Sequence, residues 1–136
     1  MESNARSVLS LEKLFFENIT YSRKSEPALI SSNYEMNFQR EVSEYETNNH
    51  YRIKLTANIC SEEKNIELSV SLVGFFTCEC DDIQQKEALV KDNTVAIMFP
   101  YLRSQITLVS TQPDIAPIVL PTINVVSLFK DSDTNK

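Results

Sequence analysis

The sequence predicts an α+β fold: a four-stranded antiparallel sheet followed by a long kinked helix, an apolar connector bounded by prolines and a short C-terminal helix. Three observations predict it. Residues 51–59 alternate apolar and polar side chains, as a half-buried strand does. Residues 94–109 place apolar side chains at helical spacing. All predicted strands precede the long helix, which favours an antiparallel sheet over one built from alternating strands and helices.

Four strands are predicted from their alternation, over residues 8–21, 34–42, 51–59 and 66–80. In the first, the alternation changes phase between Leu11 and Leu14, which indicates a bulge. In the fourth, residues 72–76 are apolar on both faces, so we expect the second face to be covered by a helix or by another subunit.

The helices follow the strands. Residues 84–90 are compatible with a short helix, and Asn93 or Thr94 is expected to cap the long one. Pro100 lies inside the long helix, where a proline costs about 3 kcal/mol unless the helix kinks or restarts, so we expect one of these there. The connector contains Pro113, Pro117 and Pro121, and residues 123–130 form a predicted short amphipathic helix.

The chain has the length of one domain. Its 136 residues are enough for one core and leave little room for a second. We expect a disordered leader over residues 1–7, a single domain over residues 8–130 and an acidic tail over residues 131–136. Residues 22–33, which contain Pro27 and several serines, are predicted as a crossover loop between the first two strands.

Composition excludes several function classes. The formal net charge of -6 disfavours binding to nucleic acid, which relies on clustered lysine and arginine. No apolar stretch approaches the roughly 20 residues of a membrane span, so no membrane insertion is expected. The single glycine, Gly74, cannot build a glycine-rich phosphate loop. The odd set of three cysteines favours a reducing compartment, and we expect a cytoplasmic protein.

The sequence offers no persuasive catalytic or metal site. His50, the only histidine, could be a general base, but a solvated surface position explains it better. Together with His50, the three cysteines Cys60, Cys78 and Cys80 could in number ligate zinc. Their spacing departs from ordinary zinc sites, and buried apolar cysteines are the favoured interpretation. We therefore expect no enzyme activity, metal or cofactor.

Apolar residues are unusually common in the two predicted loops and in the last helix. They occur in the crossover loop at residues 28–30, in the connector at residues 115–120 and in the last helix at residues 125–129. Each could simply fold onto the core. Together they suggest a subunit interface, a groove for an extended apolar peptide, or both.

A block of motifs resembles the SecB family of protein-export chaperones. It consists of Phe99-Pro100-Tyr101-x-Arg103, Ile106-Thr107, Val119-Leu120-Pro121, Asn124 and Leu128-Phe129. The order of predicted elements extends the resemblance over roughly residues 9–130. It implies an ATP-independent holdase that binds unfolded polypeptides in apolar grooves and keeps preproteins competent for translocation. It also implies a homotetramer, a dimer of dimers with the long helices between two sheets.

The resemblance implies two sets of functional residues. The expected peptide-binding residues lie in or near the crossover loop, the connector and the last helix: Leu29, Ile30, Tyr34, Phe38, Ile115, Ile118, Leu120, Val125 and Phe129. The expected oligomer-interface residues lie on the fourth strand and the long helix: Leu68, Val70, Leu72, Phe99, Tyr101 and Ile106.

The sequence departs from the family where SecA is bound. Members that deliver clients to SecA carry acidic residues at positions that correspond here to Asn18 and Ser22, and the tail after the last helix is short. SecA is therefore an open partner, and a chaperone dedicated to an antitoxin in a toxin-antitoxin-chaperone system is an alternative. A second alternative is an oligomeric interaction protein without chaperone activity. An enzyme that depends on His50 is the most remote.

Overall fold

The strands form one sheet, as the sequence predicts. A computed structural model describes residues 7–24, 33–45, 49–121 and 124–131. The long strands are β1 (Ser7–Arg23), β2 (Tyr34–Glu44), β3 (His50–Ser61) and β4 (Ile66–Cys80), and they pair antiparallel in the order β1-β4-β3-β2. The predicted α+β class and its four-stranded antiparallel sheet are confirmed.

β1 contains two bulges. Its register against β4 shifts between Leu11 and Lys13 and again between Phe16 and Asn18, where the sequence analysis proposed a single bulge. Each bulge adds a residue and thereby restores the phase of the alternation. As a result, apolar residues along the whole strand stay on the face that packs against the core, among them Leu9, Leu14, Phe16 and Tyr21.

The strand order requires the predicted crossover. β1 pairs with β4 and not with β2, its successor in the chain, so β1 and β2 lie on opposite sides of the β4–β3 pair. Residues 25–32, including the expected peptide-binding residues Leu29 and Ile30, lie outside the described parts of the chain.

The helical region is longer and less interrupted than predicted. Helix α1 (Ile83–Ala88) begins at Asp82, whose carboxylate accepts hydrogen bonds from the backbone N–H groups of Gln84 and Gln85. A π-helical turn, residues 89–93, joins it directly to α2 (Thr94–Val109). The predicted cap at residues 93–94 is wrong, because the Thr94 hydroxyl instead donates to the Val90 carbonyl oxygen at 2.6 Å. Helical structure also continues through Pro100, so the helix does not restart there.

The core lies between α2 and one face of the sheet. The inward side of the helix carries Val95, Met98, Phe99, Leu102 and Ile106, all buried against strands β3 and β4. Gly74 on β4 permits this close approach. A Cβ atom there would lie 2.9 Å from the Cε1 atom of Phe76 and 3.1 Å from the Met98 sulfur. The one glycine of the chain is thus used where the helix crosses the sheet.

The opposite face of the sheet is polar apart from a small aromatic cluster. The Phe75 ring lies 6.1 Å from that of Phe15 and 5.3 Å from that of Tyr45, and the neighbouring Val73 is fully buried. Side chains of the same chain therefore cover part of the surface at residues 72–76 that we expected a helix or another subunit to cover. None of the helices in the described residues is long and apolar enough to cross a membrane.

The C-terminal region contains an element that the sequence did not predict. After the irregular connector at residues 111–121, helix α3 covers only Val125–Leu128. The helix predicted over residues 123–130 therefore ends two residues earlier than expected. A fifth strand, β5 (Lys130–Asp131), then pairs parallel with β2 at Gln39 and Arg40. Asp131, assigned above to the acidic tail, is thus part of the sheet.

Candidate functional site

The connector is fixed to α2 by side-chain hydrogen bonds. Arg103 Nε donates to the Leu120 carbonyl oxygen at 3.0 Å, and the Thr107 hydroxyl donates to the Ile118 carbonyl oxygen at 2.8 Å. The Ile118 backbone N–H donates to Ser110 Oγ at 2.7 Å. Arg103 and Thr107 belong to the motifs that carried the family resemblance. Their role is to hold an irregular segment in one conformation beside the helix.

This conformation points neighbouring apolar residues in opposite directions. Ile118 and Leu120 are buried in the core, whereas Val119 between them is 61% exposed. Ile115 is half-buried. Of the expected peptide-binding residues in the connector, Ile118 and Leu120 therefore offer no surface in this conformation. The side chain that the connector presents to solvent is Val119, which the sequence analysis did not select.

The expected peptide-binding residues outside the connector are also largely internal. The Phe129 ring lies 5.4 Å from the Phe38 ring and 6.1 Å from the Phe99 ring, with both pairs in edge-to-face geometry. All three rings are buried. Tyr34 and Val125 are half-buried, and burial raises the pKa of the Tyr34 hydroxyl. Phe38 and Phe129 thus anchor the C-terminal segment to the sheet.

The expected interface residues divide into two groups. Five are buried within the single chain and contribute to its own core, namely Leu68, Val70, Leu72, Phe99 and Ile106. Tyr101 is 51% exposed and lies on the outward side of α2 with Ile97 and Leu108. The spacing of four and seven residues places these three side chains on one face of the helix. We refer to Ile97, Tyr101 and Leu108 as the outer stripe.

A cluster of charges that the sequence analysis missed holds β5 in place. The Arg40 guanidinium is almost fully buried. Its Nε lies 2.9 Å from Asp131 Oδ1, and its Nη1 atom donates to the Lys91 carbonyl oxygen at 3.0 Å. Asp92 Oδ1 lies 3.6 Å from Arg40 Nη1, and Lys91 Nζ lies 3.3 Å from Asp131 Oδ2. The hydrogen bond from Arg40 lowers the pKa of Asp131, so this carboxylate is charged at neutral pH.

The candidate metal ligands are not brought together. Within the described residues, no three His, Cys, Asp or Glu side chains lie close enough to hold a metal ion. Cys78 is buried, and burial raises the pKa of its thiol. Cys60 pairs with Glu67, eleven residues along β4 from Cys78, a separation of roughly 35 Å at the rise of a strand. The His50 ring packs edge-to-face against Tyr45.

The fold and these surfaces define the protein's class. It is an α+β protein with one helix-covered sheet. Its irregular connector is fixed to that helix, and apolar side chains point outward from the helix and the connector. Such surfaces bind other polypeptides more readily than small polar substrates.

Comparison with known proteins identifies the family. The family model for SecB, described as preprotein translocase subunit SecB, matches residues 2–136. The chain therefore belongs to the SecB family, which supports a chaperone role.

One relative and one solved structure extend the comparison. An uncharacterized protein of Methanocaldococcus jannaschii, MJ0357, is 34% identical over 89 residues, and this match covers 62% of the chain and 56% of that relative's length. The solved structure of the Mycobacterium tuberculosis SecB-like chaperone Rv1957, in complex with a ChAD peptide from the antitoxin Rv1956 HigA1, superposes with a TM-score of 0.66. It is 10% identical, and the match covers 85% of this chain and 87% of Rv1957, so the two share the fold.

Proposed function

We propose that this member of the SecB family is an ATP-independent holdase that binds unfolded polypeptides in the cytoplasm. The observation that carries the proposal is the connector. Three hydrogen bonds, two to α2 and one to Ser110 directly after it, keep it in an irregular conformation that exposes Val119 while its neighbours are buried. A fixed apolar surface of this kind binds an extended chain without paying to order itself. Binding the unfolded state of a client then opposes aggregation by mass action, without a catalytic residue.

Two client classes fit the proposal, preproteins awaiting export and an antitoxin. Rv1957, which shares the fold, binds an antitoxin peptide, and this supports the second class. Asn18 and Ser22 are exposed and neutral on β1, where SecA-binding members of the family are acidic. This difference also favours an antitoxin over preproteins as the client. A pulldown with purified SecA separates the two classes, because only an export chaperone is expected to retain it.

We also propose that the protein is a homotetramer assembled as a dimer of dimers. Two apolar surfaces support assembly. The outer stripe leaves Tyr101 and Leu108 more than half exposed, although α2 is the central helix of the fold. Along the outer strand β1, Val8 and Phe15 on one face of the sheet and Ile19 on the other are also exposed, and within the described residues β1 pairs on one side only. An open edge of this length favours pairing with another chain.

The outer stripe gives a test of assembly. Tyr101→Arg places a charge where the proposed interface is apolar, so we expect a smaller species by sizing with light scattering, a dimer or monomer in place of a tetramer. Gln85→Arg adds the same charge on an exposed position of α1 and should leave the tetramer intact. An unchanged mass for Tyr101→Arg would remove α2 from the interface.

The holdase itself is tested by aggregation. The chain should suppress light scattering from a chemically denatured model protein at stoichiometric ratios without nucleotide. A protein whose apolar surfaces are all buried in its own oligomer, the alternative function, would leave the scattering unchanged. Any substrate turnover that His50→Ala abolishes would instead indicate an enzyme.

A further inference from the structure

The C-terminal strand β5 lies on the outer edge of β2. β5 pairs with only two of the eleven residues of β2, and beyond it no other described strand pairs with that edge. An open strand edge presents unpaired N–H and C=O groups that bind a further extended segment. Here the chain's own terminal segment occupies part of that position.

Two side chains anchor β5, and their spacing forms a pattern. The Phe129 backbone is extended, with φ of -95° and ψ of 132°. Residues two apart in extended backbone point to the same side. Phe129 accordingly packs against Phe38 and Phe99, while Asp131 forms an ion pair with Arg40. This edge therefore binds an aromatic ring and, two residues later, a carboxylate.

The receptor for the carboxylate is built into the core. Arg40 lies on the core-facing side of β2, opposite Leu55, and is 8% exposed. A guanidinium in such a position needs an anionic partner to offset its lost hydration. Its closest carboxylate comes from Asp131, whose side chain is 44% exposed and which belongs to a two-residue strand. A carboxylate on another chain can make the same contacts.

We propose that Phe129-Lys130-Asp131 is an internal copy of a client motif, and that extended clients with an aromatic residue two positions before a carboxylate displace β5 from the edge of β2. The C-terminal segment is thus an autoinhibitory contact on one part of the client-binding surface. The proposal rests on the proposed holdase function and adds a sequence preference to it.

A cavity next to β5 provides room for the rest of such a client. It has a volume of about 530 Å³ and begins at Arg40, Lys91 and Asp131. It continues along β2 past Val42 to Tyr51 on β3. Its lining combines the apolar side chains of Val42, Ile83 and Val90 with charges of both signs, including Glu41, Glu87 and Lys86. The cavity therefore adds room for an extended chain, while the preference for a carboxylate comes from Arg40 alone.

The test uses the full chain and a peptide with the sequence of residues 127–132, Ser-Leu-Phe-Lys-Asp-Ser, capped at both ends. Its binding is measured by fluorescence anisotropy beside a second peptide with Asn in place of Asp. Asp131→Asn weakens the internal contact and leaves Arg40 intact, so it should bind the Asp peptide about three- to ten-fold more tightly than the wild type. Arg40→Met breaks the same ion pair but should no longer distinguish the two peptides.

If the ion pair is purely structural, the two variants should change peptide binding equally. If β5 is a self-bound ligand, the two variants should differ in the way described. Glu17→Gln is the matched control, because it removes an ion pair with Lys54 on the opposite face of the sheet and should bind both peptides as the wild type does. Equal binding by Asp131→Asn and the wild type would overturn the proposal, as would no detectable peptide binding. If Arg40→Met does not fold, the comparison of Asp131→Asn with the wild type still tests the proposal, since Asp131 is exposed and its variant should fold. Failure of the holdase function would appear separately, as unchanged aggregation of a denatured client with the wild type.

Discussion

Leu120→Asp is expected to lower the free energy of unfolding by at least about 3 kcal/mol, the scale on which an unpaired charge in a core destabilises a protein. Leu120 is 1% exposed, and its surroundings are apolar side chains of the core. Since a folded domain is stable by only about 5–15 kcal/mol, much of the fold's stability would be lost. Urea denaturation followed by circular dichroism measures this change. The loss should shrink as the pH falls, because protonation removes the buried charge.

Val119→Asp is the matched control for this prediction. It introduces the same side chain one residue earlier, where the connector faces solvent, so its stability should remain within about 0.5 kcal/mol of the wild type. Its client binding should nevertheless weaken, because the charge lies on the proposed binding surface. Equal destabilisation by the two substitutions would contradict the inward and outward alternation of the connector. Loss of chaperone activity in Leu120→Asp alone would only report unfolding.

Leu102→Ala is expected to lower the free energy of unfolding by about 2–5 kcal/mol, since it leaves a cavity between α2 and the sheet. Leu102 has no exposed surface in the single chain, so the decrease in the free energy of unfolding should be the same at every protein concentration. Denaturation curves recorded over a hundred-fold range of concentration provide the measurement.

Leu108→Ala makes the same chemical change six residues later on the same helix. Leu108 is 66% exposed on the outer stripe, so the stability of the single chain should change by no more than about 0.5 kcal/mol. If the stripe joins subunits, Leu108→Ala should reduce only the concentration-dependent part of the stability. A concentration-independent loss as large as that of Leu102→Ala would contradict the assignment of the two faces of α2.

The sequence predicted the elements whose residues repeat with a regular period. The alternation of residues 51–59 identified β3 nearly to its ends, because one face of that strand packs on the core along its whole length. The phase change after Leu11 correctly indicated a bulge, although the second bulge after Phe16 was missed. The long helix was identified, but the π-helical turn before it was not, since Asn93 and Thr94 are residues that usually cap the start of a helix.

The elements that the sequence missed are held by contacts between distant residues. β5 has two residues and no period of its own. It is specified by the ion pair of Asp131 with Arg40, 91 residues away, and by the packing of Phe129 on Phe38. The exposure of Val119 likewise depends on hydrogen bonds from Arg103 and Thr107, which fix the direction of each connector residue. Apolar composition located this surface without revealing which side chains face solvent.

The most direct test of the holdase proposal is complex formation with an unfolded client. The wild-type chain and a permanently unfolded model protein are mixed without nucleotide, and the mass of the product is measured by sizing with light scattering. We expect a stoichiometric complex with the wild type and a weaker one with Val119→Asp, while Gln84→Asp, which adds the same charge on α1, should bind as the wild type does. Separate elution of chaperone and client at micromolar concentrations would contradict the proposed function.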